Sequence, residues 1–336
     1  MVKEEWIEKG YIDEPVSLPE GCQSEKEYLK SEIRRMCQEK DAIILAHYYT
    51  VGDIQEIADF IGDSLALARK AADTQARIMV MCGVHFMAET CKILSPDKMV
   101  LVPDLNAGCS LADSCKAEDL KKFKDEHPGY EVVSYVNTTA AVKALTDVVV
   151  TSGNAKKVVD SFPQDAKLIF GPDYNLGNYI NSVTGRNMLL WEGGCHVHER
   201  FSVDEIVKLK QEHPNAVVMA HLECKGPVLA ISDVQGSTAV MLDYAQKSDQ
   251  QEFIVATEAG ILHEMERTCP DKKFYPVPPE ISEGSLGCSC NECEYMKMNS
   301  LRKIYNALKY EWPQVEVEES IRIEALKPIK RMLSLS

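Results

Sequence analysis

The sequence lacks the features by which several common protein classes are recognised. It contains neither a GxGxxG nor a GxxxxGKS/T element, so no dinucleotide or P-loop nucleotide site is indicated. No apolar run is long enough to cross a bilayer. The N-terminal stretch MVKEEWIEKGYIDEP also lacks the apolar core of a signal peptide. We therefore expect a cytoplasmic protein with no membrane partner.

Positive charge is also scarce. The chain has 37 Lys and Arg against 52 Asp and Glu, which gives a formal net charge of −15. This charge repels phosphate backbones, so nucleic acid is not expected as a partner. The composition, 45% hydrophobic and 26% charged, is typical of a globular protein, and 336 residues suffice for several cores. In a reducing compartment, the twelve cysteines are expected to be thiols or metal ligands.

What the sequence does contain is a repeat of nearly ninety residues. Three short apolar strands end in polar residues: AIILAHYY (42–49), VVSYVNT (132–138) and VVMAHLE (217–223). Their alignment pairs His47 with Tyr135 and His221, at steps of 88 and 86. Tyr49, Asn137 and Glu223 follow two residues later, on the same strand face. All six are candidate site residues because open α/β sheets bind ligands at strand ends, and a carboxylate beside a histidine can shuttle protons.

Each strand is followed by a turn that opens a helix. Ser64, Ser152 and Ser237 stand 88 and 85 residues apart at these turns, and Thr238 follows Ser237. Such hydroxyls either cap the helix or anchor a carboxylate or phosphate at its N-terminus, and both roles are compatible. Further strands end near Gly83, Gly171 and Gly260. Strands alternating with helices predict α/β units with parallel sheets, here three with pseudo-threefold symmetry.

Three cysteines occupy one phase of the repeat. Cys109 and Cys195 each precede a helix that ends in a proline, 19 residues further on. In the third unit, Pro313 lies 20 residues after Cys293 but 23 and 25 after Cys290 and Cys288. Cys293 is therefore the counterpart of Cys109 and Cys195, and the other two lie in an insertion.

Three thiolates that meet on a threefold axis would form a soft ligand set for an iron–sulfur cluster or zinc. A four-iron cluster held by three cysteines leaves one iron open as a Lewis acid, which suits a dehydration. The alternative is a local zinc or redox site built on CSCNEC, the segment 288–293. The remaining cysteines do not repeat and are predicted to be packing residues: Cys22, Cys37, Cys82, Cys91, Cys115, Cys224 and Cys269.

From about residue 40 onward the sequence resembles the quinolinate synthases, the A protein of NAD biosynthesis. The resemblance rests on LAHYYTVGDIQEIADFIGDSLALARKA, FMAETCKILSPDK, YVNTTAAVKALTDVVVTSGNA, IFGPDYNLGNYI, CHVH, AHLEC, DVQGST, TEAGILH and YMKMN. It implies three stacked α/β/α domains around a central cavity. We expect their bounds at 1–108 with 294–336, at 109–194 and at 195–293.

The resemblance also implies a reaction and a cofactor. Iminoaspartate and dihydroxyacetone phosphate would condense to quinolinate with loss of phosphate and two waters, and an L-aspartate oxidase or dehydrogenase would supply the iminoaspartate. An oxygen-sensitive [4Fe–4S] cluster would be bound by Cys109, Cys195 and Cys293, with its open iron assisting the last dehydration.

By the same resemblance, Glu223 is the leading acid/base residue, assisted by Tyr49, His47 and His221. Substrate contacts are expected from Tyr135, Asn137 and His198, and carboxylate or phosphate anchors from Ser64, Ser152, Ser237 and Thr238. The extra thiols Cys288 and Cys290 depart from the minimal family pattern and are expected to form a redox-sensitive disulfide or to have no role. The segment 281–290 is a candidate mobile loop. The alternatives are a zinc or redox-sensing module on CSCNEC and a different iron–sulfur hydro-lyase.

Overall fold

The computed structural model describes residues 2–22, 24–280 and 291–336, and its strands form three parallel sheets of four. The first sheet contains β1 (Ala42–His47), β2 (Phe60–Gly62), β3 (Ile78–Cys82) and β4 (Met99–Leu101). The second contains β5 (Glu131–Tyr135), β6 (Val148–Val150), β7 (Leu168–Gly171) and β8 (Leu189–Leu190). The third contains β9 (Val217–His221), β10 (Val234–Gly236), β11 (Glu252–Ala256) and β12 (Lys273–Pro276). The predicted α/β class with parallel sheets is confirmed.

Helices flank the sheets, as three-layer α/β/α domains require. They are α1 (Glu4–Lys9), α2 (Glu25–Lys40), α3 (Gly52–Ile57), α4 (Ser64–Asp73), α5 (His85–Leu94), α6 (Ser110–Ser114), α7 (Ala117–Glu126), α8 (Ala140–Lys143), α9 (Ala155–Asp160), α10 (Tyr174–Thr184), α11 (Val203–Glu212), α12 (Gly226–Ala230), α13 (Thr238–Lys247), α14 (Ile261–Thr268), α15 (Glu294–Lys297), α16 (Leu301–Tyr310) and α17 (Glu319–Leu335). A short 3₁₀ turn spans His198–Arg200. No helix among the described residues is long and apolar enough to span a membrane.

The strand order repeats in all three sheets. The orders are β2-β1-β3-β4, β6-β5-β7-β8 and β10-β9-β11-β12, so the first strand of each sheet always lies between the second and the third. The pairings align His47, Tyr135 and His221, which lie opposite Gly62, Val150 and Gly236 respectively. This register confirms the repeat on which the sequence alignment rested.

The third strands align differently from the sequence prediction. Their last paired residues are Cys82, Gly171 and Ala256. Gly171 is therefore the end of β7, whereas Gly83 follows β3 by one residue and Gly260 follows β11 by four. Glycine is accepted at many positions of a turn, so the strand pairing is the safer guide to equivalent positions.

The described chain divides into two compact units. The first comprises Met1–Cys109 and Glu294–Ile323, and the second comprises Ser110–Cys293 and Glu324–Ser336. The first unit contains the first sheet, and the second contains the other two. The last turns of α17 therefore group with the second unit, whereas the predicted first domain included all of 294–336. The three-domain division at 1–108 with 294–336, at 109–194 and at 195–293 stays a prediction.

Each unit has its own apolar core. In the first, alternate residues of β1 and β3, among them Ile44 and Val80, pack with Ile33 of α2 and Ile304 of α16. Residues two apart in a strand share one face, so α2 and α16 cover that face of the sheet. Burial of each such Ile or Leu contributes about 1.5–3 kcal/mol. The adjacent strand β3 is buried at every residue, as expected of a parallel sheet covered on both sides.

Candidate active site

Glu223 lies at the centre of a buried polar cluster in the second unit. Its carboxylate follows β9, and the residue is 4% exposed. The hydroxyl of Tyr135, at the end of β5, donates to Glu223 Oε1 at 2.5 Å. His198 Nδ1 is 3.1 Å from Oε2, and His221 Nδ1 is 3.6 Å from Oε1. Four residues predicted from the sequence are thus brought together from two sheets.

Electrostatics and burial give Glu223 and His221 different protonation states near neutral pH. Burial alone would raise the pKa of Glu223, but the imidazoles of His198 and His221 and the Tyr135 hydrogen bond outweigh it and hold that pKa well below its usual range. Burial lowers the pKa of His221 to about 4, despite the adjacent Glu223 carboxylate. Near neutral pH, Glu223 is therefore ionised and His221 is neutral.

Backbone hydrogen bonds fix the tautomers of two histidines at equivalent positions. The amide of Glu223 donates to His221 Nδ1 at 3.3 Å, and the amide of Tyr49 donates to His47 Nδ1 at 3.1 Å. Because Nδ1 accepts a hydrogen bond, the neutral ring carries its proton on Nε2. Both residues come from the pairs that the repeat predicted. In the first unit, the ring of Tyr49 also contacts the His47 ring edge-on at 4.6 Å.

A buried side chain braces the loop after the first strand in two of the repeats. Lys143 is completely buried, and its Nζ donates to the carbonyls of Val136, at 2.8 Å, and Thr138, on either side of Asn137. Eight residues after His47, Gln55 Nε2 donates in the same way to Tyr48 O and Thr50 O, each at 2.9 Å. Asn137 Oδ1 is buried and has no hydrogen-bond partner among the described residues. The loop is thus held in place while one acceptor remains available.

The predicted hydroxyl anchors lie near helix starts, with different local roles. Ser237 caps α13 by accepting from Val240 N at 3.4 Å, and Thr238 is the first residue of that helix. Ser64 is the first residue of α4, whose cap is Asp63. Ser152 lies in the turn before α9 and does not cap it, since the N-cap residue of α9 is Asn154.

The three phase-matched cysteines occupy equivalent places in the chain. The helices α7, α11 and α16 each begin eight residues after Cys109, Cys195 and Cys293 respectively. All three are half-buried and free of disulfide bonds. Cys195 and Cys293 both pack against the apolar cluster of the third sheet, and Cys195 Sγ is 3.1 Å from His198 Nδ1. The contact between Cys195 and His198 was not predicted.

The other cysteines were predicted to be packing residues. Five are buried: Cys82, Cys91, Cys115, Cys224 and Cys269. Packing roles are therefore confirmed for these five, and Cys22 and Cys37 are half-buried. Cys288 and Cys290, the two cysteines placed in an insertion, and the candidate mobile loop 281–290 lie outside the described residues.

Sequence reasoning missed two buried carboxyls, Asp173 and Glu258. Each lies two residues after the last paired residue of the third strand, so the two are equivalent by strand register. Glu258 is fully buried and accepts from Gly260 N at 2.7 Å and from Cys293 N at 2.9 Å. This contact holds the backbone of Cys293, a predicted cluster ligand, beside the end of β11 in the third sheet. The signal in the sequence was an acidic residue soon after an apolar strand, in LIFGPD and FIVATE.

Asp173 occupies the equivalent place beside Cys195. Its Oδ1 caps α10 by accepting from Leu176 N at 2.7 Å. Its Oδ2 is buried without a well-formed hydrogen bond among the described residues, although the Cys195 amide is close enough to favour the charged form. Burial, followed by the charge of Glu223, nevertheless raises the pKa of Asp173 well above its usual range.

Comparison with known proteins places these residues in a family context. Residues 31–334 match the family model described as quinolinate synthetase A protein. The chain is 52% identical over 308 residues to the quinolinate synthase of Rippkaea orientalis, covering 92% of this chain and 93% of that protein. The corresponding figures are 52%, 92% and 94% for the quinolinate synthase of a Nostoc species. For that of Chloroherpeton thalassium they are 50%, 92% and 94%.

Proposed function

Because the chain belongs to the quinolinate synthase family of NAD biosynthesis, we propose that it condenses iminoaspartate with dihydroxyacetone phosphate to form quinolinate, with loss of phosphate and two waters. Family membership over residues 31–334 favours this activity over a zinc or redox-sensing module and over another hydro-lyase. An L-aspartate oxidase or dehydrogenase in the cytoplasm is the proposed source of the unstable iminoaspartate.

The observation that carries the proposal is the buried group around Glu223. Ring formation from an imine and a ketose phosphate needs protons to be removed from carbon and delivered to leaving oxygens. Glu223 is ionised and can accept such a proton, while the Tyr135 hydroxyl on its Oε1 can pass one between substrate and carboxylate. Neutral His221 holds its own proton on Nε2, where it can donate to a substrate oxygen. His47 and Tyr49 are proposed to assist in the first unit.

Substrate anchoring is proposed for the polar groups at strand ends and helix starts. Asn137 Oδ1 is a buried acceptor available to an imine or hydroxyl hydrogen, and His198 lies beside Glu223. Ser237 and Thr238 open the ten-residue helix α13, whose N-terminal dipole favours a carboxylate or phosphate. Ser64 and Ser152 are proposed to serve the same purpose. Dipolar anchors of this kind allow a chain of net charge −15 to bind anionic substrates.

The thiols fit the cluster that the family implies. Cys109, Cys195 and Cys293 are half-buried and occupy equivalent positions in the repeat. Cys195 and Cys293 also pack against the apolar cluster of the third sheet, where water competes less for a metal bound by thiolates. We propose that these three hold a [4Fe–4S] cluster. When bound, it would supply a Lewis-acidic iron for dehydration. Asp173 Oδ2 is buried near the Cys195 amide without a well-formed hydrogen bond. A small movement of the Cys195 backbone on ligand binding would complete that bond.

The direct test is anaerobic incubation of the iron-loaded protein with dihydroxyacetone phosphate and iminoaspartate generated enzymatically in the same vessel. We expect quinolinate, detected by mass spectrometry, and its loss in Glu223→Gln. Exposed Glu266→Gln, on α14, is the matched control and should retain activity. Absence of quinolinate from protein that contains about four irons per chain would refute the proposed activity.

A further inference from the structure

Three different donor atoms converge beside Glu223. His198 Nδ1 is 3.1 Å from Cys195 Sγ and 3.1 Å from Glu223 Oε2. A sulfur, a nitrogen and an oxygen from these residues all lie within 4.8 Å of one another. A tetrahedral zinc site with the usual bond lengths of about 2.0–2.3 Å separates its donors by about 3.3–3.7 Å. The two spacings from His198 Nδ1 are close to that range, and the sulfur and carboxylate oxygen lie within 4.8 Å of each other, so modest shifts would admit an ion.

The remaining atoms of the same side chains have other partners. His198 Nε2 is 2.9 Å from Thr257 Oγ1, to which it can donate its proton. Glu223 Oε1 accepts from the Tyr135 hydroxyl, which leaves Oε2 to face His198 Nδ1. Ligating histidines and carboxylates in metalloproteins are oriented by this kind of outer hydrogen bond. Thr257 and Tyr135 therefore fix the direction in which the donors point.

The chemistry of the donors selects the ion. A thiolate and a carboxylate bring two negative charges, and a neutral imidazole adds none, so the set balances a divalent cation. Sulfur and imidazole nitrogen favour zinc or ferrous iron over magnesium or calcium. Three protein ligands leave a fourth position for water, as in catalytic zinc sites. His198 is 1% exposed and Glu223 is 4% exposed, so water competes weakly for the ion.

We propose that the cluster-free protein binds one zinc or ferrous ion through Cys195 Sγ, His198 Nδ1 and Glu223 Oε2. This binding does not depend on the proposed activity. Its consequence does: because Cys195 is also a proposed cluster ligand, zinc in this site and the assembled cluster exclude each other. Zinc bound in this site would also be coordinated by Oε2 of Glu223, the proposed acid/base residue.

Cobalt(II) is the spectroscopic probe for this site. Titrated anaerobically into cluster-free protein, it should give one equivalent of a species with a thiolate-to-cobalt charge-transfer band and the visible bands of a four-coordinate ion. Zinc should bleach both. We expect Cys195→Ser to abolish the charge-transfer band and His198→Leu to weaken binding at least tenfold. Thr257→Val, which keeps every ligand, should weaken binding about 10–100-fold.

The controls separate this site from the three-cysteine set. Cys109→Ser, Cys293→Ser and the double variant Cys288→Ser/Cys290→Ser should retain the bands at one equivalent. Bands that survive His198→Leu unchanged, or that require both Cys109 and Cys293, would place the ion elsewhere and overturn the inference. Failure to bind cobalt in protein that makes quinolinate once reconstituted would refute this site alone. Cobalt binding without quinolinate synthesis would refute the activity alone.

Discussion

Glu258 is predicted to stabilise the second unit through both of its carboxylate oxygens. The side chain is fully buried, and it accepts from Gly260 N at 2.7 Å and from Cys293 N at 2.9 Å. In Glu258→Gln, one of these amides faces the new NH₂ group and loses its acceptor, while the other exchanges a charged acceptor for a neutral one. A buried donor without a partner costs about 1–3 kcal/mol, and the weakened bond adds about 1 kcal/mol. We therefore expect a loss of about 2–4 kcal/mol.

Two measurements test this expectation in cluster-free protein. Urea unfolding should show a lower midpoint for Glu258→Gln, and hydrogen exchange should be at least tenfold faster in a peptide that begins at Asn291 and includes the Cys293 amide. The matched control is Glu266→Gln, an exposed residue of the neighbouring helix α14, with an expected change within about 0.5 kcal/mol.

An unchanged midpoint together with unchanged exchange at Cys293 would refute the reasoning, because both follow from the same two hydrogen bonds. Loss of stability without faster exchange at Cys293 would show that Glu258 acts through Gly260 only. In protein loaded with the proposed cluster, the variant should also release iron faster in air, since Cys293 is then less firmly held.

Other substitutions test the remaining features. Lys143→Met should lower the free energy of unfolding in urea by about 2–4 kcal/mol, because two buried carbonyls lose their donor. Lys143→Gln should lower it less, because Gln55 makes both contacts at the equivalent position. Equal losses for the two variants would contradict this account. Burial raises the pKa of the Cys91 thiol to about 12. Above pH 9 only the unfolded state therefore loses that proton, and the free energy of unfolding falls as the pH rises. In Cys91→Ala this fall should be shallower by about 1.4 kcal/mol per pH unit, and parallel pH profiles of the two proteins would refute the prediction. Metal analysis should show that Cys293→Ser loses its iron and that Cys288→Ser retains it. The reverse result would refute the assignment of Cys293 as the counterpart of Cys109 and Cys195.

The residues that the sequence revealed are those governed by strand geometry. Tyr135, His221 and Glu223 were found because side chains repeat every two residues in a strand and parallel strands present their ends at one edge. The structure places all three in one cluster. The cysteine phase relied on helix length, and the common eight-residue interval to the next helix agrees with it.

The residues that the sequence concealed depend on pairing or burial. The equivalence of Asp173 and Glu258 is evident only from the strand register. The sequence alignment matched the nearby glycines instead, because the segments between the strand ends and those glycines differ in length. Lys143 carries a charge that normally indicates the surface, yet it is completely buried against carbonyls. Thr257 has no distinguishing sequence context and is identified only by its contact with His198.

The first compact unit is assembled from two stretches separated by residues 110–293. Its core includes Leu301, Ile304 and Leu308 of α16, which pack with the strands β1 and β3 near the start of the chain. A ribosome that adds about 5–20 residues per second needs roughly 10–40 s to synthesise the intervening segment. Throughout that interval the apolar sheet face that α16 will cover is exposed on the nascent chain. This period is when a chaperone would bind, and slow codons in the intervening segment would lengthen it.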